Sequence, residues 1–267
     1  MAKKPWTDAE IRAWVDSQGS WYQSIRIRDG LVTPGSTEAT KRLELLALPD
    51  DLSGRTVLDL GCNSGLLCFE CKRRGADRVV GIDLSAVRIG QAQTLADILD
   101  LDIEFQEMDL FDAPRLGEFD TVFCCAILHH VSDLIGALNV LKQVTRRALY
   151  LELPLLGDKR HDRLLLRLVR WIGVLSRWTP KRLLRRLRRH RDDGRKRIVW
   201  DRLGMAVLRR MEKNGRVTLS LMPDLGFLMG VLGEEFQAEE LGPSSRFGLL
   251  KLTRSGSGAE RALPSFP

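Results

Sequence analysis

Short apolar runs alternate with segments of helical periodicity between Thr56 and Pro154. The apolar runs read TVLDL, RVVGID, IEFQ, FDTVFCCAI and ALYLELP, and helical spacing lies over residues 66–74, 86–99 and 134–144. This order predicts an α/β fold with a parallel sheet covered by helices on both faces, because each strand–helix–strand unit crosses over the sheet. The later runs FQAEEL and FGLLKL predict two further strands.

The chain divides into four predicted segments around this core. Its 267 residues can bury one sizeable core with room for a lid or an insertion. An N-terminal helical arm or lid over 1–50 carries the aromatic, loop-rich sequence WYQSIRIRDGLVTPG at 21–35. We predict the core over 51–157 and 216–254, a basic helical insertion over 158–215, and a mobile tail over 255–267.

Composition excludes several classes of protein. No stretch reaches about 18 uninterrupted apolar residues, and MAKKPWTDAE lacks the apolar core of a signal peptide, so we expect a cytoplasmic protein. The five cysteines are odd in number and lie in apolar or glycine-rich sequence, which indicates thiols rather than disulfides. Cys68 and Cys71 form a CxxC without a second ligand pair, so no metal site is predicted.

Positive charge is concentrated in one segment. Residues 159–197 hold 16 Lys and Arg against 3 Asp, a local charge of +13 in a chain whose net charge is +7. Such a segment typically faces an anionic partner, such as tRNA or a membrane surface, although a solvated helix face is the simpler alternative. Leucines and tryptophans occur among these arginines at helical spacing, which is compatible both with RNA binding and with docking on lipid headgroups. The apolar side of the predicted helices is broad, which favours a lid or a surface-docking element.

The first predicted strand ends in DLGCNSG and runs directly into a helix. Gly61 and Gly65 let the backbone approach a ligand closely, and Asn63 tolerates the left-handed conformation that otherwise favours glycine. A dinucleotide fingerprint, GxGxxG, would need glycine in place of Asn63 and Leu66. The turn therefore indicates a ligand site that is not an NAD site.

Two further acidic positions follow the next strands. Asp83 ends the second apolar run, where a carboxylate can accept both hydroxyls of a ribose; capping the next helix with Ser85 is the alternative. Asp109 and Leu110 follow the third run and offer an acceptor beside a backbone N–H, as an adenine edge requires. All these positions belong to the carboxyl ends of strands, where open α/β sheets bind ligands.

These segments together resemble class I S-adenosylmethionine-dependent methyltransferases. The matching motifs are VLDLGCNSG, VVGIDLS, EMDLF and FDTVFCCAILHHV, over roughly residues 55–153. The resemblance implies a Rossmann-like, mostly parallel sheet of seven strands, with S-adenosyl-L-methionine as cofactor. More narrowly, the arm and the first two motifs resemble the branch of tRNA wobble-uridine (5-oxyacetate or 5-methoxy) modifying methyltransferases, whose arm is shared with enzymes of sugars and other small metabolites.

The resemblance also implies a set of cofactor contacts. The methionine end would be held by Asp59, Gly61, Asn63 and Gly65, the ribose by Asp83, and the adenine by Asp109 with Leu110. Cys62, Leu84, Cys125 and Ala126 complete the predicted cofactor-binding set. The two cysteines are interpreted as small apolar fillers, because direct transfer from sulfonium to acceptor needs no nucleophilic thiol.

Base and acceptor residues are predicted beside this set. His129 and His130 leave the fourth strand where the methyl group should lie, and imidazole is a base near neutrality; capping or packing the next helix is the alternative. Tyr22 could orient the acceptor hydroxyl, and Trp21, Arg26 and Glu152 are predicted to contact the acceptor. Trp21 and Tyr22 could instead cover an edge of the core.

The resulting prediction is an enzyme that methylates a hydroxyl oxygen. Carboxymethyl-transferring members of the resembled branch carry tyrosine where this chain has His129, which favours plain methyl transfer. The acceptor stays open between a tRNA wobble uridine and a sugar, lipid or quinone-like metabolite, the latter at the inner face of a membrane. A nonenzymatic cofactor-binding protein is disfavoured, because cofactor motifs and a base occur together.

Overall fold

A computed structural model describes residues 5–35, 39–153, 196–201, 204–213, 216–223, 225–243 and 248–256 of the chain. The strands are β1 (Arg26–Arg28), β2 (Leu31–Val32), β3 (Thr56–Leu60), β4 (Arg78–Asp83), β5 (Glu104–Glu107), β6 (Phe119–Cys125), β7 (Thr145–Leu153), β8 (Lys196–Asp201), β9 (Gly204–Lys213), β10 (Arg216–Pro223), β11 (Phe236–Pro243) and β12 (Gly248–Arg254). The helices are α1 (Asp8–Ser17), α2 (Ala39–Leu46), α3 (Leu66–Arg73), α4 (Ala86–Leu99), α5 (Leu134–Val144) and α6 (Leu225–Leu232), with 3₁₀ helices at Leu110–Leu116 and Leu128–His130.

Seven strands form the central sheet, in the order β11-β12-β7-β6-β3-β4-β5. The five strands from β7 to β5 run parallel, whereas β12 is antiparallel to both of its neighbours, β7 and β11. The predicted seven-stranded, mostly parallel Rossmann-like sheet is therefore confirmed. The strand order reverses at β3, because β4 and β5 are added on one side of it and β6 on the other. The carboxyl ends of the parallel strands β4, β3 and β6 therefore lie side by side around a crevice.

Residues along each central strand alternate between two apolar layers. Val57 and Val79 lie in the cluster that contains α1, α3 and α4, whereas Leu58 and Val80 lie in the cluster that contains α5 and α6. Successive side chains of a strand point to opposite faces, so an unbroken apolar run is what a doubly covered sheet requires. This is why TVLDL and RVVGID read as continuous apolar sequence.

The N-terminal arm packs into the apolar layer that contains α3 and α4. Thr7 and Glu10 form a reciprocal capping box that begins α1, with Thr7 N–H donating to Glu10 Oε2 at 2.7 Å. Within the arm, β1 and β2 pair as an antiparallel hairpin around Asp29-Gly30, in a segment predicted to be a loop. The Asp-Gly dipeptide follows the alternating apolar residues Ile25 and Ile27, and this combination is a hairpin signal. Ile27 and Leu31 contribute buried side chains to the α3 layer.

The predicted helical character of the segment 158–215 is wrong over its last part. Strands β8, β9 and β10 form a separate three-stranded antiparallel sheet. Lys213 pairs with Arg216, and the residues between them in the sequence are Asn214 and Gly215, the strongest short hairpin signal. The period-two pattern of RVTLSLMP also favours a strand. In β8 and β9, the high content of arginine, a residue that favours helices, outweighed the Asn-Gly signal in the prediction.

The remaining insertion and tail predictions fall outside the described residues. These are the leucine-, tryptophan- and arginine-bearing segment up to residue 195 and the tail from residue 257. Of residues 216–254, predicted as core, β10 belongs to the three-stranded sheet, while α6, β11 and β12 complete the central fold.

Candidate active site

The turn that follows β3 has the backbone conformation that its sequence predicts. Gly61 and Gly65 have φ values of +75° and +91°, and Asn63 has φ +54°. The N–H groups of Gly61 and Cys62 both donate to the Ile82 carbonyl, at 2.8 and 2.9 Å, which fixes the turn against the end of β4. A Cβ on Gly61 would also collide with the Ile127 side chain. Glycine here meets an internal packing need as well as a conformational one.

Asp59 lies beneath this turn. It is 2% exposed, and Cys68 Sγ lies 3.7 Å from its Oδ2. Burial raises the pKa of the Cys68 thiol well above its usual value, and the neighbouring Cys62 and Asp59 raise it further, so the thiol stays protonated and can donate to the carboxylate. Burial likewise raises the pKa of the Cys124 thiol. Asp59 has almost no surface for a ligand, so it would act on one through the turn above it.

All five cysteines are buried free thiols. Cys62 and Cys125, the two nearest the crevice, fit the interpretation as apolar fillers: both lie within the buried cluster of the α3 face. Their burial is unlike the partly exposed, electropositive setting in which reactive cysteines occur.

Asp83 joins three elements at the end of β4. Its Oδ2 accepts the Asn63 N–H at 3.0 Å, and its Oδ1 accepts the Ser85 N–H at 2.9 Å, where α4 begins. The Ser85 hydroxyl, rather than Asp83, caps α4 by accepting from the Arg88 N–H. Next to Asp83, the Leu84 side chain is 70% exposed at the same edge. The structure therefore places an oriented carboxylate and an exposed apolar side chain together at the crevice.

Asp109 and Leu110 lie beyond the end of β5, next to β4 in the sheet. Asp109 begins the 3₁₀ helix Leu110–Leu116 by accepting the Phe111 N–H at 2.9 Å. The hydrogen bonds that hold this turn use the N–H groups of Phe111 and Asp112, not that of Leu110. Phe111 is exposed beside them. The arrangement offers an acceptor, a backbone N–H and apolar surface at one place.

The end of β6 contains a strained residue. Ala126 has φ +59°, a conformation that costs an L-residue roughly 1–2 kcal/mol, and its N–H donates to the Glu152 carbonyl at 2.8 Å. Cys125 pairs in register with Glu152, which is 2% exposed and lies near the end of β7. At this conformation the chain leaves β6 and continues to the two histidines. Glu152 is thus a buried neighbour of this turn.

His129 and His130 lie side by side after that turn, in the 3₁₀ helix Leu128–His130. Their ring centroids are 3.9 Å apart with a 42° angle between the planes. His130 is exposed and His129 is half-buried. Both imidazoles therefore lie at the carboxyl edge of β6, next to the strand that carries the glycine turn, and neither caps α5, whose N-terminus is held by Asp133.

The predicted acceptor-binding residues of the aromatic arm differ in their exposure to solvent. Trp21 is 8% exposed, donates its indole N–H to the Val15 carbonyl at 3.1 Å and packs edge-on against Trp14. It is a core-covering residue in this structure, as the alternative interpretation held, and not an open stacking platform. Tyr22, by contrast, is 47% exposed. Arg26 is exposed on β1, with its carbonyl accepting from Arg73.

Sequence reasoning missed Gln23, which lies between the predicted arm residues. Its side chain is buried against the glycine turn, where Nε2 donates to the Cys62 carbonyl at 3.2 Å and Oε1 accepts the Leu66 N–H at 3.1 Å. No local pattern marks it, because its partners lie about 40 residues further along the chain. Its only sequence signal is an amide side chain inside an otherwise aromatic and apolar stretch.

The described residues contain neither a metal-binding cluster nor a membrane-spanning helix. No group of three or more His, Cys, Asp or Glu side chains is arranged to hold a metal ion there. Within the same residues, no helix is both long and apolar enough to cross a membrane.

Comparison with known proteins identifies the family of the central part of the core. Residues 57–148 match the family model described as a methyltransferase domain. These residues carry the glycine turn, Asp83, Asp109 and the two histidines. They form a methyltransferase domain.

Relatives of this methyltransferase domain are known from two kinds of enzyme. The tRNA U34 carboxymethyltransferase of Campylobacter hominis is 34% identical over 93 residues, which are 34% of this chain and 33% of that protein. The ubiquinone biosynthesis O-methyltransferase of Xanthomonas euvesicatoria is 37% identical over 127 residues, 47% of this chain and 51% of that protein. The chain thus spans about a third to a half of the length of these relatives.

Solved structures share the fold over a longer stretch. The N-terminal domain of EvdMO1, crystallised with SAH and D-fucose, superposes with a TM-score of 0.62 over 94% of this chain and 97% of that chain, at 16% identity. A methyltransferase from Listeria monocytogenes, described as putative and S-adenosylmethionine-dependent, gives a TM-score of 0.52 over 81% of this chain and 98% of that one, also at 16% identity. At such identities the similarity supports the class I methyltransferase fold alone.

Proposed function

We propose that this chain is an S-adenosylmethionine-dependent methyltransferase that transfers a plain methyl group to a hydroxyl oxygen. The observation that carries the proposal is Asp83, an oriented carboxylate hydrogen-bonded to the glycine turn at the crevice of a methyltransferase domain. The site lies where open α/β sheets bind their ligands.

The residues present fit this cofactor. A carboxylate has about four acceptor positions, and the Asn63 and Ser85 N–H groups use two of those on Asp83, which leaves two for the two hydroxyls of a ribose. Leu84 and Phe111 supply exposed apolar surface for an adenine ring, with Asp109 as an acceptor for its amino group. The turn 61–65 would receive the methionine end.

The chain's own contribution to the reaction is alignment and proton removal. When bound, S-adenosylmethionine supplies an electrophilic methyl group on a positively charged sulfur. Holding an acceptor oxygen in line with that carbon and sulfur can contribute about 7–11 kcal/mol. His129 or His130 takes the proton of the acceptor hydroxyl as the new oxygen–carbon bond forms, and the electron pair of the broken bond remains on sulfur.

Plain methyl transfer is proposed over carboxymethyl transfer. The Campylobacter hominis relative is named as a carboxymethyltransferase. The carboxymethyl-transferring members of that branch carry a tyrosine where this chain has His129, and an imidazole lacks the phenol hydroxyl. The Xanthomonas relative, named as an O-methyltransferase, supports oxygen as the acceptor atom.

The acceptor is proposed as a tRNA wobble uridine, with a sugar, lipid or quinone-like hydroxyl as the second candidate. The first follows the tRNA-modifying relatives, and the second follows the O-methyltransferase relative, of which a larger share is matched. The corresponding location is the cytoplasm, or the inner face of a membrane if the acceptor is a lipid or quinone.

Labelled methyl transfer tests the function and the acceptor together. The full chain is incubated with methyl-labelled S-adenosylmethionine and fractionated cell RNA, lipids and small molecules, with Asp83→Asn as the matched control. Label in one fraction that depends on Asp83 supports the proposal and identifies the acceptor class. No Asp83-dependent label in any fraction, from a folded protein, would overturn it. Transfer from the carboxylated cofactor alone would overturn the choice of plain methyl.

The basic segment 159–197 is proposed to bind an anionic surface. Its charge of +13 cannot be neutralised by its own three acids, and counterion release makes such binding fall steeply with salt. Flotation with anionic liposomes tests a membrane surface, and tRNA gel shifts test RNA. Replacing Arg185, Arg186, Arg188 and Arg189 by Glu should abolish whichever binding is found. Failure of both assays at low salt would overturn this proposal.

A further inference from the structure

Gln23 caps the first helix of the methyltransferase domain from outside that helix. Helix α3 begins after Gly65, which has no side chain to accept a hydrogen bond from the first turn. The Leu66 N–H is one of the donors that such a helix start leaves unsatisfied. Gln23 Oε1 accepts it at 3.1 Å, while Gln23 Nε2 donates to the Cys62 carbonyl at 3.2 Å. One amide therefore holds both ends of the turn 62–66.

The arm in turn holds Gln23 rigidly. The Thr33 hydroxyl donates to the Gln23 carbonyl at 2.7 Å and accepts the Ile25 N–H at 2.8 Å, and Thr33 is itself buried. Gly35 passes so close that a Cβ there would overlap the Gln23 backbone. The segment 23–35 is thus a closed loop that presents Gln23 to the turn.

A second contact between the arm and the turn runs through helix α4. The Ser20 carbonyl accepts hydrogen bonds from Arg88 at 2.6 Å and from Gln91 Nε2 at 3.3 Å. Gln91 is fully buried, and its Oε1 accepts from the Ser64 hydroxyl at 2.8 Å. The arm therefore reaches the turn at Ser64 through Gln91, and at Cys62 and Leu66 through Gln23.

We propose that Gln23 is a positioning residue that sets the backbone geometry in which the turn 61–65 receives the cofactor. The inference rests on the proposed function, because it assumes that this turn binds S-adenosylmethionine. It assigns the arm a role in cofactor binding, in addition to the acceptor contacts predicted from its aromatic residues. The arm and the cofactor turn then form one preorganised unit.

Two arm variants of the full chain separate this role from general stability. Gln23→Met keeps the side-chain length but removes both hydrogen bonds. Ile27→Ala, the matched control, removes buried apolar volume from the same arm and leaves both hydrogen bonds in place. We expect Gln23→Met to bind S-adenosylhomocysteine about tenfold more weakly than Ile27→Ala at a temperature where both are folded.

Amide hydrogen exchange supplies a second readout at the site itself. Protection of the Leu66 N–H should fall in Gln23→Met and persist in Ile27→Ala. Gln23→Glu, which keeps an acceptor for Leu66 and loses the donor to Cys62, should retain more of this protection than Gln23→Met.

The outcomes distinguish the inference from the proposed function. If the wild-type chain binds and Gln23→Met binds within about twofold of it, the positioning role is overturned and the function stands. The same follows if Ile27→Ala weakens binding as much as Gln23→Met does. If the folded wild-type chain fails to bind S-adenosylhomocysteine, the proposed function is overturned and the inference falls with it.

Discussion

The backbone N–H of Asn63 donates to Asp83 Oδ2 at 3.0 Å, which ties the glycine turn after β3 to the carboxyl end of β4. Because Asp83 Oδ1 also accepts from Ser85, one carboxylate links the turn, the strand end and the start of α4. Truncation to alanine would disturb all three, as well as any ligand. The conservative change to asparagine is therefore the sharper probe of Asp83.

Asp83→Asn should weaken binding of S-adenosylhomocysteine by about 1.5 to 3 kcal/mol, the range for hydrogen bonds to a charged group. The amide keeps the side-chain shape but loses the charge and half of the acceptor positions that two ribose hydroxyls need. Titration calorimetry measures the change, with the exposed Asp102→Asn as a control for loss of one negative charge. Unchanged affinity in a variant with native circular dichroism would argue against the ribose assignment.

Gly61→Ala should lower the free energy of unfolding by about 1 to 2 kcal/mol or more, because alanine is strained at φ +75° and its Cβ meets the Ile127 side chain. Gly90→Ala, in the exposed middle of α4, has no atom within 4 Å of the new Cβ and should instead stabilise by up to about 1 kcal/mol. Urea denaturation measures both.

Combining Gly61→Ala with Ile127→Ala tests the origin of that cost. The double variant removes the Ile127 Cγ1 and Cδ1 atoms that the new Cβ would meet, so it should recover the steric part of the loss and leave the conformational part. A double variant whose destabilisation equals the sum of the single changes would contradict a direct clash.

His129→Gln and His130→Gln should include one variant whose turnover falls by about 10²- to 10⁴-fold while its affinity for S-adenosylhomocysteine is unchanged. The expectation follows from a general base that acts on the acceptor and not on the cofactor. Methyl-transfer kinetics with the identified acceptor provide the measurement. Loss of no more than a few-fold in both variants would mean that alignment alone, or another group such as Tyr22, accounts for the rate.

Asp120→Asn should destabilise the fold by about 1 kcal/mol at pH 7 and by less at pH 3. Burial alone would raise the pKa of Asp120, but the hydrogen bonds from the Thr56 N–H and hydroxyl, together with Arg146 and Arg147, outweigh it and hold the pKa below its usual value. A lowered folded-state pKa gives stability that is complete above the unfolded-state pKa, about 3.9, and is lost as the pH falls through the folded-state value.

Urea denaturation of the wild type and Asp120→Asn at both pH values measures this dependence. Glu118→Gln is the control, because its carboxylate lies 3.6 Å from Arg146 on the exposed surface, where ion pairs contribute about 0–1 kcal/mol. A stability difference that is equal at pH 7 and pH 3 would contradict the pKa assignment for Asp120.

The order of elements and the sheet edge that carries the candidate site residues were predictable from the sequence. The predicted helices over 86–99 and 134–144 have the same bounds as α4 and α5. Local periodicity suffices here, because a doubly covered parallel sheet demands unbroken apolar strands and amphipathic helices. The acidic residues at strand ends then fall at one edge, since the strands are parallel.

Local patterns failed where charge or composition overrode periodicity. In β8 and β9, which lie within the predicted helical insertion, arginine content suggested helix, although Asn214-Gly215 favours the hairpin that β9 and β10 form. Trp21 could not be assigned from sequence either, because an indole stacks on a ligand or packs in a core with the same local pattern. Its contacts with Trp14 and Val15 show that this indole packs in the core.

The sequence by itself determined the methyltransferase sheet, the glycine turn and the acidic positions beside it, because each is written in a run of neighbouring residues. Only the tertiary structure decided that Gln23 holds that turn and that Gly61 faces Ile127, because these contacts join segments some 40 to 66 residues apart. Periodicity records which face a residue occupies within its own element. It does not record which distant residue packs against that face, which depends on how the elements pack together in three dimensions.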